Sequence, residues 1–255
     1  MPTWDPRQYL KFSDHRLRPA LDLLTQIPLE APATVHDLGC GPGNITRLLA
    51  ERWPAARVTG LDSSSEMLAK ARQEAPGIAF AQADIARWAP PAPANLLFSN
   101  STLQWLEHHA ALFPRLLGQL APGGVLAVQM PHNHEAPSHL LMRAAAEAGP
   151  WQSRLRDVRS IAPVGTSADY YGILAPAARQ VDIWDTEYLH VLEGDNPVVE
   201  WTKGTGLRPF LDALDEPERG RFLADYAARI AQAYPKQADG RTLLPFRRLF
   251  IIARV

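Results

Sequence analysis

Over its first 130 residues the chain alternates brief apolar runs with longer amphipathic stretches. Residues 33–39, 56–62, 78–84, 94–100 and 125–131 are short, apolar and bounded by Gly, Pro, Asn or Asp, which predicts five buried strands. The stretches between them carry helical spacing. Residues 44–53 stop before Pro54, 65–75 before Pro76, and 107–120 before Pro122-Gly123-Gly124. Proline cannot donate the next backbone bond and glycine holds helical geometry poorly, so each is a natural stop. Pro114 inside the third stretch predicts a break or kink there, and Ser63-Ser64-Ser65 offers a hydroxyl cap to the second helix. This β-α rhythm predicts a mostly parallel sheet with helices on both faces.

A further helix is expected over residues 16–27, ahead of the first strand. Beyond residue 135 the rhythm breaks. Residues 138–148 read as helix, followed by a polar stretch with scattered aromatics. Residues 181–192 and 248–255 read as two last strands, and about fifty residues of helical pattern lie between them (197–205, 207–214 and 216–234). That is too much chain for a hairpin loop and predicts a helical cap. The expected organisation is one domain over 1–255: an N-terminal lid over 1–30, a core over 31–135, and cap elements over 136–180 and 193–245.

Composition narrows the classes. The chain has 255 residues, 46% hydrophobic and 21% charged, which excludes disordered and fibrous proteins. Lys plus Arg number 26 against 27 acidic residues, so no bulk field pulls toward nucleic acid or anionic membrane, and an anionic ligand would need a few placed arginines. Cys40 is the single cysteine, so no intrachain disulfide can form. No apolar run approaches the ~20 residues of a membrane span and no secretory pattern opens the chain, so a soluble cytoplasmic protein is expected.

The sharpest chemical signal is Asp37-Leu38-Gly39-Cys40-Gly41-Pro42-Gly43, at the turn from first strand to first helix. Glycine is required where a chain turns tightly and a ligand approaches the backbone. Asp62 follows Gly43 by nineteen residues, at the end of the second strand, where a carboxylate can accept both ribose hydroxyls of a nucleoside. The third glycine comes one residue early for a dinucleotide fingerprint. Asp37 also sits badly for a diphosphate but well for an ammonium, which favours S-adenosylmethionine over NAD. A nucleotide-linked oxidoreductase stays as the alternative.

These residues resemble the first motif of the class I S-adenosylmethionine-dependent methyltransferases. The later landmarks follow in order: Asp62, Ala83-Asp84-Ile85 and Asn100. The resemblance implies a Rossmann-like sheet, mostly parallel with a reversed last strand, and a helical cap between the last two strands. It implies cofactor contacts from Asp37, Gly39, Cys40, Gly41, Asp62, Ser63, Met67, Asp84, Ile85, Asn100 and Ser101. In that family the residue matching Asp84 meets the adenine amino group, the one matching Ile85 packs on the ring, and the segment matching Asn100-Ser101 lies by the methionine end and reacting methyl.

Longer strings are similar to the trans-aconitate methyltransferase family in particular. They include Trp4-Asp5-Pro6 with Tyr9-Leu10 and Phe12, Arg52-Trp53-Pro54-Ala55-Ala56-Arg57, Leu103-Gln104-Trp105, Gly124 to Pro131, Val181-Asp182-Ile183-Trp184, Thr205-Gly206-Leu207-Arg208-Pro209 and Arg248-Leu249-Phe250-Ile251. That resemblance implies a methyl ester formed on one carboxylate of trans-aconitate, with another small di- or tricarboxylic acid as the alternative. A carboxylate is already ionised at neutral pH, so no general base and no catalytic residue beyond positioning is expected. Arg208 and Arg248, taken to open the last strand, are first choices to hold the other carboxylates, since guanidinium matches carboxylate with paired bonds. Arg16, Tyr171, Gln104 and Trp105 are further substrate candidates, and Tyr9 is expected in a lid. His132, His134 and His139 lack a fourth ligand, so no metal is expected. The expected partners are a small acid alone, with neither nucleic acid nor membrane, and a monomer or weak homo-oligomer.

Overall fold

The computed structural model describes residues 13–158 and 164–255, with the side chains of 13–16 also outside the description. Tyr9 and Phe12 therefore lie outside the described residues, as does the side chain of Arg16. In chain order, helix α1 (Ser13–Thr25) precedes strand β1 (Thr34–Leu38), α2 (Asn44–Arg52), β2 (Arg57–Asp62), α3 (Ser65–Glu74) and β3 (Ala79–Gln82). There follow β4 (Ala94–Asn100), a single 3-10 turn (Leu103–Trp105), α4 (His109–Leu117) and β5 (Leu120–Pro131). The second half contains α5 (Pro137–Ala148), α6 (Gln152–Leu155), α7 (Ser167–Leu174) and β6 (Gln180–Leu192), then α8 (Pro197–Lys203), α9 (Arg208–Asp212), α10 (Glu216–Ala233) and β7 (Thr242–Arg254).

Among the described residues these strands form one seven-stranded sheet in the order β3-β2-β1-β4-β5-β7-β6. The pairs β1/β2, β2/β3, β1/β4 and β4/β5 are parallel. β7 runs antiparallel to β5, so the reversed last strand expected from the sequence is present, and α8, α9 and α10 are inserted between β6 and β7 as the cap pattern required. Because β1 pairs with β2 on one side and β4 on the other, the strand order reverses at β1. That reversal leaves a crevice outside the carboxyl ends of β1 and β4, the place where open α/β sheets bind ligands.

Contact clustering divides the chain into two compact units. One comprises Leu17–Pro131, Val164–Thr186 and Arg248–Val255; its core gathers Leu38, Leu61, Leu97, Phe113, Leu126, Tyr170 and Ile251. The other comprises residues 132–158 and Glu187–Arg247, around Met142, Trp151, Trp201, Phe210, Phe222 and Tyr226. Each large apolar side chain fully withdrawn from water contributes about 1.5–3 kcal/mol, so each unit has an apolar core of its own.

Four details differ from the sequence reading. α4 runs through Pro114 without breaking: its buried face of Leu112, Phe113, Leu116 and Leu117 keeps the segment helical although Pro114 cannot donate to the preceding turn. β5 begins at Leu120, its pairing with β4 shifting register between Ala94 and Leu96, and Gly123 takes φ 76° so that strand passes through the Pro-Gly-Gly segment. The helix α7 had not been anticipated; it starts from a capping box in which Thr166 and Asp169 satisfy each other's backbone N–H groups. β7 begins six residues earlier than the apolar run at Arg248, since Thr242 to Arg247 continue the same alternation.

Candidate cofactor and substrate site

The turn after β1 is held by the end of β2. Gly39 and Cys40 both donate to the Leu61 carbonyl, at 2.7 and 2.9 Å, and the Gly41 N–H donates to Asp62 Oδ2 at 2.9 Å. Asp62 Oδ1 accepts from the Ser64 N–H at 2.8 Å, and Ser64 caps α3 by accepting from the Met67 N–H at 3.2 Å. Asp62 is thus a brace between the glycine turn and the next helix. Its carboxylate has about four acceptor positions, and two are spent here, which leaves room for a pair of hydroxyls.

The glycines are required for two different reasons. At Gly39 (φ 82°) a Cβ would stand 2.1 Å from Thr102 Cγ2, because the loop after β4 packs directly on the turn; Thr102 Oγ1 donates to the Gly39 carbonyl at 3.2 Å. At Gly41 (φ 53°) an added Cβ would meet nothing among the described residues within 4 Å. The first glycine lets two protein segments touch, and the second faces open space where a ligand can reach the backbone.

Asp37, at 2% exposure, accepts a bond from Thr46 Oγ1 at 2.7 Å. Burial raises its pKa to about 7, opposed by the Thr46 bond and reinforced by the nearby Asp62 charge. Two neighbouring carboxylates beside the turn disfavour a pyrophosphate and favour a cationic group. Burial, then Asp37 and Asp62, also push the Cys40 thiol upward, so this cysteine is a packing residue.

The remaining candidates follow the other strand ends. Asp84 is exposed and accepts from the Ala86 N–H at 3.0 Å, whereas Ile85 is buried in the core. Ser63 is exposed and Met67 buried. After β4, Asn100 keeps its Oδ1 buried without a hydrogen-bond partner among the described residues. Ser101 sits at φ 53°, a conformation unusual for a residue with a side chain, and its Oγ donates to Gln129 Oε1 at 2.9 Å. Arg248, 3% exposed, donates from one guanidinium nitrogen to Ser101 Oγ (3.1 Å) and Gln129 Oε1 (3.3 Å).

Arg248 therefore does not open the last strand; it lies at its seventh position, on the buried face with Leu244 and Phe246, because the strand starts earlier. Arg208 belongs to the other unit, at the start of α9, where its Nε lies 3.6 Å from Asp212 Oδ2 one turn on. Gln104 is buried, its Oε1 without a partner among the described residues, while Trp105 and Tyr171 are exposed. Tyr170, the neighbour of Tyr171, is the buried one, its hydroxyl 2.6 Å from His109 Nδ1. A cavity of about 580 Å³ within the second unit is lined by residues including His132, His134, Glu187, Tyr234 and Arg247, and, among the described residues, by none of the sequence-predicted site residues. Gln129, Thr46 and Thr102 were missed by the sequence reading. Thr102 and Thr46 had no local signal; Gln129, a polar residue within an apolar strand, did.

These groups fit S-adenosylmethionine. The open face at Gly41, the spare acceptor positions of Asp62 and the unspent Asn100 Oδ1 suit a ribose and an ammonium-bearing tail.

Comparison with known proteins agrees. Residues 35–124 match a family model described as a methyltransferase domain. The trans-aconitate 2-methyltransferase of Azoarcus sp. (strain BH72) is 56% identical, over 99% of this chain and 99% of that protein. The trans-aconitate 2-methyltransferase of Methylobacterium nodulans is also 56% identical, over 100% and 99%. In fold, the chain is similar to the crystal structure of an S-adenosylmethionine-dependent methyltransferase from Mesorhizobium loti. That match has a TM-score of 0.52 and 23% identity, and it covers 92% of this chain and 96% of that one. The glycine turn braced by Asp62, the reversed seventh strand and identity along the whole chain lead to one conclusion: this chain is a methyltransferase of the trans-aconitate 2-methyltransferase family.

Proposed function

We propose that the chain methylates one carboxylate of trans-aconitate. The observation that carries this reading is the buried Arg248 guanidinium, fixed beside Ser101 at the end of β4. A buried guanidinium, always charged and only able to donate, is a natural partner for an anionic oxygen acid. When bound, S-adenosylmethionine supplies a methyl group on a cationic sulfur, which a carboxylate oxygen accepts as an ester with release of S-adenosylhomocysteine.

No proton moves in this transfer, so the chain needs no general base. Its residues instead bind, orient and exclude water. Asp37, Gly39, Cys40, Gly41, Asp62, Ser63, Met67, Asp84, Ile85, Asn100 and Ser101 are assigned to the cofactor, with Asp62 accepting from the ribose and Asn100 Oδ1 from the ammonium. Arg248 is assigned to a substrate carboxylate that does not react. Arg208, Arg16, Tyr9, Tyr171, Gln104 and Trp105 are the other residues assigned to the acid. Fixing one oxygen toward the methyl group supplies on the order of 7–11 kcal/mol of the barrier reduction.

Among the described residues no helix is long and apolar enough to cross a membrane. The single cysteine and an ionised metabolite-sized substrate suit a cytoplasmic enzyme that works as a monomer or weak homo-oligomer, without nucleic acid. The test is methyl transfer from labelled S-adenosylmethionine to trans-aconitate, cis-aconitate, citrate and isocitrate in parallel. Selective ester formation on trans-aconitate is expected; preferred turnover of another acid would reassign the substrate and keep the chemistry.

A further inference from the structure

One buried polar group that the assignments above leave unused lies on Gln129, near the end of β5. Its side chain is wholly buried, and on the same strand face Val125 and Ala127 are apolar. Its hydrogen bonding is fully determined. The Arg248 guanidinium can only donate, so the amide atom facing it at 3.3 Å must be the oxygen. Ser101 Oγ accepts from the same guanidinium at 3.1 Å and therefore uses its one proton on that oxygen, at 2.9 Å. The Ser101 N–H also donates to the Gln129 carbonyl, at 2.9 Å, which fixes the loop to the strand. With Oε1 turned to Arg248 and Ser101, Nε2 faces away, buried and without an acceptor among the described residues. A polar residue in an apolar strand, one end anchored and the other unspent, is the arrangement of a binding group awaiting its ligand.

We infer that Gln129 is a substrate-binding and specificity residue: Nε2 donates to an oxygen of a non-reacting carboxylate while Oε1 holds Arg248 in place to engage the same acid. This rests on the carboxylate reading above and adds a recognition rule. Both groups offer only donors to the ligand, so an ionised carboxylate fits, whereas a carboxamide would turn an N–H₂ group against a donor.

Gln129→Glu separates this role from a merely structural one. Glutamate retains the oxygen that accepts from Arg248 and Ser101 and strengthens that anchor, but replaces the donor with a negative acceptor. The expected result is a folded protein whose S-adenosylhomocysteine affinity stays within about 3-fold of wild type. Its KM for trans-aconitate should rise by about 10- to 100-fold, the loss expected for one hydrogen bond to a charged group. Gln129→Leu keeps the size but removes both the donor and the oxygen that holds Arg248, so it should raise KM by at least a similar factor, and its KM is read if the glutamate variant does not fold. A KM within about 2-fold of wild type in a folded variant overturns the inference, since an anchoring role alone would survive the glutamate. Wild type is assayed alongside with all four acids: its failure to methylate any of them overturns the carboxylate reading and this inference together, whereas wild-type turnover with unchanged variant KM overturns this inference alone.

Discussion

At the scale of single residues, Asp62 has the largest share of the work. It braces Gly41 and Ser64 through one oxygen each, so removing it releases the glycine turn as well as the proposed ribose contacts. Asp62→Ala is expected to weaken S-adenosylhomocysteine binding at least about 10-fold by calorimetry, with one charge-assisted bond alone worth about 1.5–3 kcal/mol. Gly39→Ala should act through sterics: its Cβ would overlap Thr102 in a backbone conformation already costly for alanine, and a stability loss of about 1–3 kcal/mol in urea unfolding is expected. Asp37 adds a pH dependence. Its folded pKa of about 7 lies above its unfolded value near 3.8, so between those values the folded chain binds more protons than the unfolded one. That contribution to stability is complete below about pH 4 and is lost as pH rises through 7. Relative to wild type, Asp37→Asn should therefore gain melting temperature from pH 4 to about pH 7 and level off above it; a constant difference across that range would show that Asp37 does not titrate there.

At the scale of elements, β7 shows how one strand start redistributes function. Strand side chains alternate, so among Leu244, Phe246 and Arg248 all point to the buried face while Arg247 is exposed. Two adjacent arginines acquire opposite fates from register alone. Arg248→Lys keeps the charge but loses the planar guanidinium, one nitrogen of which donates to both Ser101 and Gln129, and should raise KM for the acid without changing cofactor affinity. In α10, Phe222, Tyr226 and Ile230 recur at helical spacing on the buried face. Tyr226 also donates to the Ser138 carbonyl at 2.8 Å, while the Ser138 N–H donates to the Tyr234 hydroxyl at 3.1 Å. Tyr226→Phe leaves that buried carbonyl without its tyrosine donor, and about 1–3 kcal/mol of stability should be lost in urea unfolding. The helical pattern of residues 216–234 was legible in the sequence because spacing is a local property. The partnership with Ser138, 88 residues away, was not.

At the scale of the whole molecule, the near-zero net charge means that attraction for an anionic acid depends on placed groups such as Arg248, not on a general field. Ligand binding should report on the folded chain as a whole: S-adenosylhomocysteine at 100 times its Kd stabilises by about 2.7 kcal/mol through mass action, and that shift should shrink in Asp62→Ala. The sequence by itself determined the strand and helix rhythm, the glycine turn, the acidic residue at the end of β2 and the helical insert before the last strand. Each of these is written in spacing that recurs within a few residues, and short-range sterics and amphipathicity enforce it. The tertiary structure alone decided which polar side chains are withdrawn from water and how they are paired. Ser101, Gln129 and Arg248 stand 28 and 119 positions apart along the chain, and only the pairing of β4, β5 and β7 brings them into one hydrogen-bonded group. A buried donor becomes a recognition group through what surrounds it in space, and the linear order of residues contains no distance of that kind.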